Sequence, residues 1–260
     1  MFNFIRVIEG TEISVCIDSQ LYGSKREIFD SMLSTFKMTS NSSETSLLIT
    51  GNINSEYENS YYCNTESERW VFYLQNMLED YFAQILNCTV IHGACIKIFD
   101  KCVALVGERK SGKTTLTKFF MDLAGVEYLS DDCIYIVNGC YYGFNMPIPM
   151  RSALYPKGCV ICSTLDDDNI KRLLYFPEKS FLMTKRIDSI LFPKYEQSLN
   201  LIDFNKVSHV ELFNWVINNT KHFSTTNKLF KDINNLLKTV SAYKVNYSNC
   251  EDVLEWFSGL

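Results

Sequence analysis

Residues 107–114 read Gly-Glu-Arg-Lys-Ser-Gly-Lys-Thr, and no other stretch of the chain constrains its fold as strongly. They fit the spacing G-x-x-x-x-G-K-[ST] between an apolar run, Lys101 to Val106, and a helix-like segment from Thr115 to Ala124. A phosphate chain needs converging backbone N–H groups, and glycine lets a loop curl close enough to supply them. The next helix adds its free N-terminal amides and the positive end of its dipole. Lys113 then reaches the β/γ-phosphates and Thr114 offers a hydroxyl to Mg²⁺. The expected nucleotide-binding set is Gly107, Glu108, Arg109, Lys110, Ser111, Gly112, Lys113, Thr114 and Thr115.

Composition narrows the rest. With 260 residues, 47% of them hydrophobic, the chain can build one large domain or two modest ones. A net charge of −5 without long like-charge blocks argues against a general nucleic-acid or anionic-membrane surface. No segment approaches the roughly 18 apolar residues of a membrane span, and Met1 to Arg6 lacks the order of a signal peptide, so the cytoplasm is the expected compartment. The ten cysteines lie in apolar strand-like runs and read as reduced, buried thiols. Cys159-Val-Ile-Cys162 has no second pair and reads as strand rather than zinc site.

Along the chain, Asn3 to Ile8 and Glu12 to Ile17 alternate as strands around a Glu9-Gly10 turn. Lys25 to Phe36 has helical spacing, and Leu47 to Thr50 is strand-like. From Glu66 to Leu86 the spacing of Trp70, Leu74, Met77, Leu78, Tyr81, Phe82 and Ile85 predicts a long amphipathic helix with Trp70 as a core anchor. Val90 to Ile98 and Cys102 to Val106 form a hairpin that delivers the chain into the loop. After the loop helix, ended by Gly125, an apolar strand finishes in Asp131-Asp132. Carboxylates there can hold Mg²⁺, directly or through water, or accept a proton.

Asn138-Gly139 predicts a hairpin between Cys133–Val137 and Cys140–Phe144. Met146 to Arg151 is too proline-rich for a helix and reads as an ordered connection, which places Arg151 either on the surface or as a phosphate clamp. Lys157–Cys162, Arg172–Phe176 and Ile187–Phe192 are strand candidates, and Asp166 to Asp168 read as a solvated turn. Ser208 and Glu211 form a capping box for a helix carrying Val210, Phe213, Val216 and Ile217. Leu229 to Val240 and Glu251 to Phe257 are helical, with the strand Ala242 to Tyr247 between them. His209 and His222 have no partner at ligand spacing and read as structural.

The combination of His92-Gly93, the phosphate loop and Leu129-Ser-Asp131-Asp132 resembles HPr kinase/phosphorylase and its relatives. Among these are kinase-like proteins encoded beside ribosomally made, modified peptides, such as lasso-peptide tailoring kinases. The likeness to the latter extends to the Trp70 helix, to His92-Gly-Ala94 and to Pro147 to Arg151, and covers residues 66–200. It implies an α/β fold with an HPr-kinase-like nucleotide-binding core, a mixed sheet flanked by helices, over residues 66–260; residues 1–65, which carry no catalytic constellation, read as a small α/β lobe or lid. It further implies Asp131 as general base for a substrate hydroxyl, Asp132 as a Mg²⁺ ligand, and His92 near the transferred phosphate, with Lys113 and Arg151 neutralising charge. The loop is more charged than the family's usual small-residue loops. The family's downstream Glu-Ile-Arg-Gly-Leu-Gly type of segment is absent, so neither HPr as substrate nor reverse phosphorylase activity is expected.

The expectation is therefore a Mg²⁺- and ATP-dependent kinase acting on a peptide or small-molecule hydroxyl, with self-association left open. Two competing readings are a non-catalytic ATP-binding module that controls an interaction surface, and a phosphoenolpyruvate carboxykinase-like enzyme. The latter needs further metal and carboxylate-binding residues that the sequence does not display.

Overall fold

A computed structural model describes residues 1–40, 47–53, 59–150, 162–165, 169–177, 180–199 and 201–259. In chain order the first elements are β1 (Phe2–Ile8), β2 (Thr11–Ile17), α1 (Ser19–Met32), β3 (Lys37–Thr39), β4 (Leu47–Thr50), β5 (Ser60–Tyr62) and α2 (Trp70–Leu86). Then come β6 (Thr89–Ile98), β7 (Lys101–Val106), α3 (Lys113–Met121), β8 (Glu127–Ser130), β9 (Cys133–Val137), β10 (Cys140–Tyr142) and β11 (Ile148–Met150). The rest are β12 (Cys162–Leu165), β13 (Lys171–Tyr175), β14 (Met183–Thr184), β15 (Ser189–Tyr195), β16 (Asp203–Lys206), α4 (His209–Asn218), β17 (Thr220–His222), α5 (Thr226–Leu237), β18 (Ser241–Tyr247) and α6 (Cys250–Ser258). The result is a mixed α/β architecture, and no helix among the described residues is long and apolar enough to cross a membrane.

By contacts the chain divides into two compact units, Met1–Leu86 with Phe144–Phe176, and Asn87–Gly143 with Pro177–Leu260. This groups α2 with the N-terminal residues, where the sequence-based division at 65/66 put it with the loop domain. The first unit holds a five-stranded sheet in the order β3-β1-β2-β4-β5 and a three-stranded sheet in the order β11-β13-β12. Aromatic rings fill it: Phe82 stacks on Phe144 at 4.0 Å, and Phe29 packs at 6.4 Å from Trp70, which is 7% exposed and serves as a core residue.

The second unit is built on a ten-stranded sheet whose main path runs β14-β10-β9-β6-β7-β15-β18-β16, with β8 and β17 also paired to β6. Strands β7, β15 and β18 are mutually parallel, while β6 is antiparallel to β7. Alternation along β7 decides what each face buries. Ala104 and Val106 join Leu212, Val216, Ile233 and Leu236 of α4 and α5. Val103 and Leu105 join Leu116 and Phe120 of α3 and Val253 and Phe257 of α6. Both faces of these central strands are thus covered, which is why they read as continuous apolar runs.

Local departures from the expectations have local causes. Helix α1 starts six residues earlier than the periodicity suggests, because the Asp18 carboxylate accepts from the Gln20 and Leu21 amides at 2.8 and 3.0 Å, and a kink at Lys25 interrupts the pattern. Helix α2 begins at Trp70 rather than Glu66. The proline-rich segment, expected as an ordered connection, contains β11, an edge strand where Pro149 is tolerated opposite Leu174. The Ser208–Glu211 capping box is present, but α4 buries Leu212 and Val216 while Val210 is 72% exposed. The short β3, β14, β16 and β17 carry too few residues for a period to show. The strand expected over 157–162 falls almost wholly outside the described residues, as do the aspartates at 166–168.

Eight described cysteines are free thiols, six of them buried. Burial pushes Cys63 and Cys88 up to about 12, which leaves them unreactive near neutral pH.

Candidate active site

Strand β6 is the axis of the site because its two halves have different neighbours. Along one edge Cys95 to Lys97 pair with β8 and Thr89 to His92 pair with β9, so Asp131-Asp132 fall in the gap between those strands. Along the other edge Gly93 pairs with Val106, the last residue before the loop, and Ile91 pairs with Thr220 of β17. His92-Gly93 is therefore the crossing point of the acidic pair, the loop and β17. A Cβ on Gly93 would lie 2.9 Å from the Leu105 carbonyl oxygen and 3.1 Å from Val106 Cγ2. Gly93→Ala should cost about 1–3 kcal/mol of stability by overpacking, read as a lower urea midpoint; an unchanged midpoint would show that β7 yields freely.

The loop joins β7 directly to α3, the arrangement its spacing demands. Gly112, with φ +99°, starts the helix, and a Cβ there would clash with the Tyr247 hydroxyl. Lys113 is 7% exposed and folds back over the loop, donating to the Gly107 and Glu108 carbonyls at 2.7 and 2.9 Å. Burial lowers its pKa, against the opposing pull of Asp131 and Asp132. Glu108, Arg109 and Lys110 are exposed, while Ser111 is half-buried with an unpartnered Oγ. Thr115 stands exposed on the first turn of α3.

The two aspartates occupy opposite electrostatic settings. Asp131 is buried, with Thr114 Oγ1 donating to its Oδ2 at 3.5 Å and with no partner for Oδ1. Desolvation, reinforced by the Asp132 charge, raises it to about 7. Asp132 has both carboxylate oxygens engaged: His92 Nδ1 is 2.9 Å from Oδ1 and Lys221 Nζ donates to Oδ2 at 2.6 Å. Burial alone would raise Asp132, but the His92 hydrogen bond and the Lys221 charge outweigh it and hold the carboxyl far below the usual range. His92 Nδ1 also faces the Asp132 carbonyl oxygen at 3.2 Å; with two acceptors before it, Nδ1 is the protonated nitrogen.

Of the residues singled out in the sequence, the fold brings His92, Thr114, Asp131 and Asp132 together, with Lys113 on the adjoining loop. Arg151 lies outside the described residues. Lys221 was missed. It sits on the three-residue β17, 89 positions from Asp132, and only the pairing of β17 with β6 brings the two together. His209 opens α4 and His222 ends β17, and neither belongs to a group of candidate metal ligands among the described residues.

The donor set is hard oxygen: Thr114 Oγ1 and the two carboxylates, one with an orphaned, buried Oδ1. Such a set fits Mg²⁺. A cation directly on Asp132 would compete with Lys221 for Oδ2.

Comparison with known proteins gives little beyond this geometry. No family model matches the chain, and no curated protein matches its sequence. Among solved structures it is similar to the Hpr(Ser) kinase/phosphatase from Coxiella burnetii, with a TM-score of 0.32 and 10% identity, over 65% of this chain and 91% of that one. A likeness at that score carries no weight for fold or activity.

Proposed function

We propose that the chain is a Mg²⁺- and ATP-dependent phosphotransferase that phosphorylates a Ser/Thr-type hydroxyl, with a peptide as acceptor. The observation that carries this reading is the buried Asp131 carboxylate, one oxygen against Thr114 at the start of α3 and the other without a partner. A helix N-terminus with a glycine loop suits a phosphate chain, and an unpartnered buried acceptor suits a hydroxyl brought up to it. The peptide follows the resemblance to kinase-like proteins of modified-peptide gene clusters.

In the proposed reaction the amides at the start of α3 bind the phosphates, and Lys113 exchanges its loop carbonyls for phosphate oxygens. The acceptor hydroxyl donates to Asp131 Oδ1. Its oxygen forms the new bond to the terminal phosphorus as the bond to the ADP oxygen breaks, and its proton passes to Asp131. Asp132 stays ionised between His92 and Lys221, so the second charge of the pair keeps Asp131 a strong enough base. Mg²⁺, held by Thr114 and Asp132, would neutralise phosphate charge when bound.

Incubation with Mg-ATP and candidate peptides, especially any encoded beside the gene, should add one phosphate to a Ser or Thr by mass spectrometry. Nucleotide binding that depends on Lys113 with no transfer to any acceptor would instead favour a non-catalytic ATP-binding module.

A further inference from the structure

The hydrogen-bonded edge of β15 facing β7 changes hands at the loop. Ser189 to Leu191 pair with Val103 to Leu105. Beyond that β7 turns away, and β15 continues four residues to Tyr195, with Pro193 in the stretch that β7 has left. The vacated edge is taken by the loop itself: the Tyr195 amide donates to the Ser111 carbonyl at 3.1 Å. Tyr195 is 49% exposed, and its ring meets that of Tyr247 edge-to-face, centroids 5.7 Å apart at 71°. Tyr247 is fully buried, and its hydroxyl donates to the Gly112 carbonyl at 3.1 Å. One aromatic thus braces the loop from beneath. The second stands on it, half in solvent, at the C-terminal ends of parallel strands, where open α/β sheets take their ligands.

We infer that Tyr195 is the stacking platform for the nucleobase of the bound nucleotide. This rests on the phosphate-loop reading above, and it adds the end of the ligand that reading leaves unplaced. Asp131, Asp132, His92 and Lys221 all belong to the β6 flank of β7. A phosphate chain laid in the loop with its terminal phosphate toward them has its nucleoside end toward the opposite flank, which is β15. The buried, unpartnered Ser111 Oγ lies in the same loop residue whose carbonyl Tyr195 holds. A flat, half-exposed ring fixed to the loop by its own backbone amide offers a π-face at low ordering cost, and such stacking tolerates different bases.

The test compares Mg-ATP with Mg-tripolyphosphate, which has the phosphates and no base, by calorimetry on the full chain and on Tyr195→Ala and Tyr195→Phe. Tyr195→Ala should weaken ATP about tenfold and leave tripolyphosphate affinity unchanged; Tyr195→Phe, which keeps the ring, should behave as wild type toward both. Equal losses for both ligands would mean that the ring only braces the loop, and no loss for either would mean that the base lies elsewhere; each overturns the inference alone. If the unsubstituted protein bound neither ligand, the phosphate-loop reading would fall, and the inference with it.

Discussion

Asp131→Asn is expected to lower phosphoryl transfer about 10²–10⁴-fold, the usual worth of a positioned general base, with ATP affinity retained. Asparagine keeps the shape and the acceptor facing Thr114 but cannot take the proton. The unsubstituted protein should gain transfer rate as pH rises through about 7, because the proposed base must be ionised, and the variant should lose that rise. A folding defect would not explain the loss. Because the folded-state pKa is raised from 3.8 to about 7, the carboxyl favours the fold when protonated, and that contribution disappears as pH climbs through this window. Above it, removing the buried charge leaves stability equal or higher, so thermal unfolding at pH 8 should show no decrease. Transfer at near wild-type rate in the Asn variant would rule Asp131 out as the base.

Lys113→Ala should fail one step earlier, with ATP affinity and transfer both down about 10²–10³-fold, the cost typical of losing one preorganised partner of a developing charge. Lys113 holds two loop carbonyls through a single buried ammonium, so the substitution removes both the phosphate's counter-charge and the contact that keeps the loop curled. Lys113→Arg should not restore function, because a planar guanidinium cannot take the place of a compact ammonium between those carbonyls. Calorimetric titration of Mg-ATP into each variant separates the two predictions: the Asp131 variant binds and does not transfer, the Lys113 variants do neither. Full ATP affinity in Lys113→Ala would remove the loop from the nucleotide site.

Much of the site could be read from residue order because its parts are local. The loop needs glycine and lysine at set spacing between one strand and one helix, and Asp131-Asp132 follow that helix after one further strand. The hairpins at Asp100 and at Asn138-Gly139 announce themselves by residues that tolerate positive φ, 60° at Asp100, 50° at Asn138 and 79° at Gly139. Elements held by neighbours rather than by their own period were invisible, β17 above all, which exists because β6 offers it an edge.

Residue order was enough for the 107–114 loop, its strand and helix, the acidic pair and the histidine before them, since each depends on short-range backbone chemistry. How the two acids differ was set by packing between distant parts of the chain. Adjacent residues of one type have the same chemistry on paper. Packing buries Asp131 against Thr114 with one oxygen unpartnered, and brings Lys221 from 89 residues away, with His92, onto Asp132. The proposed assignment of base and counter-charge rests on that unequal desolvation and pairing, neither of which any spacing along the chain encodes.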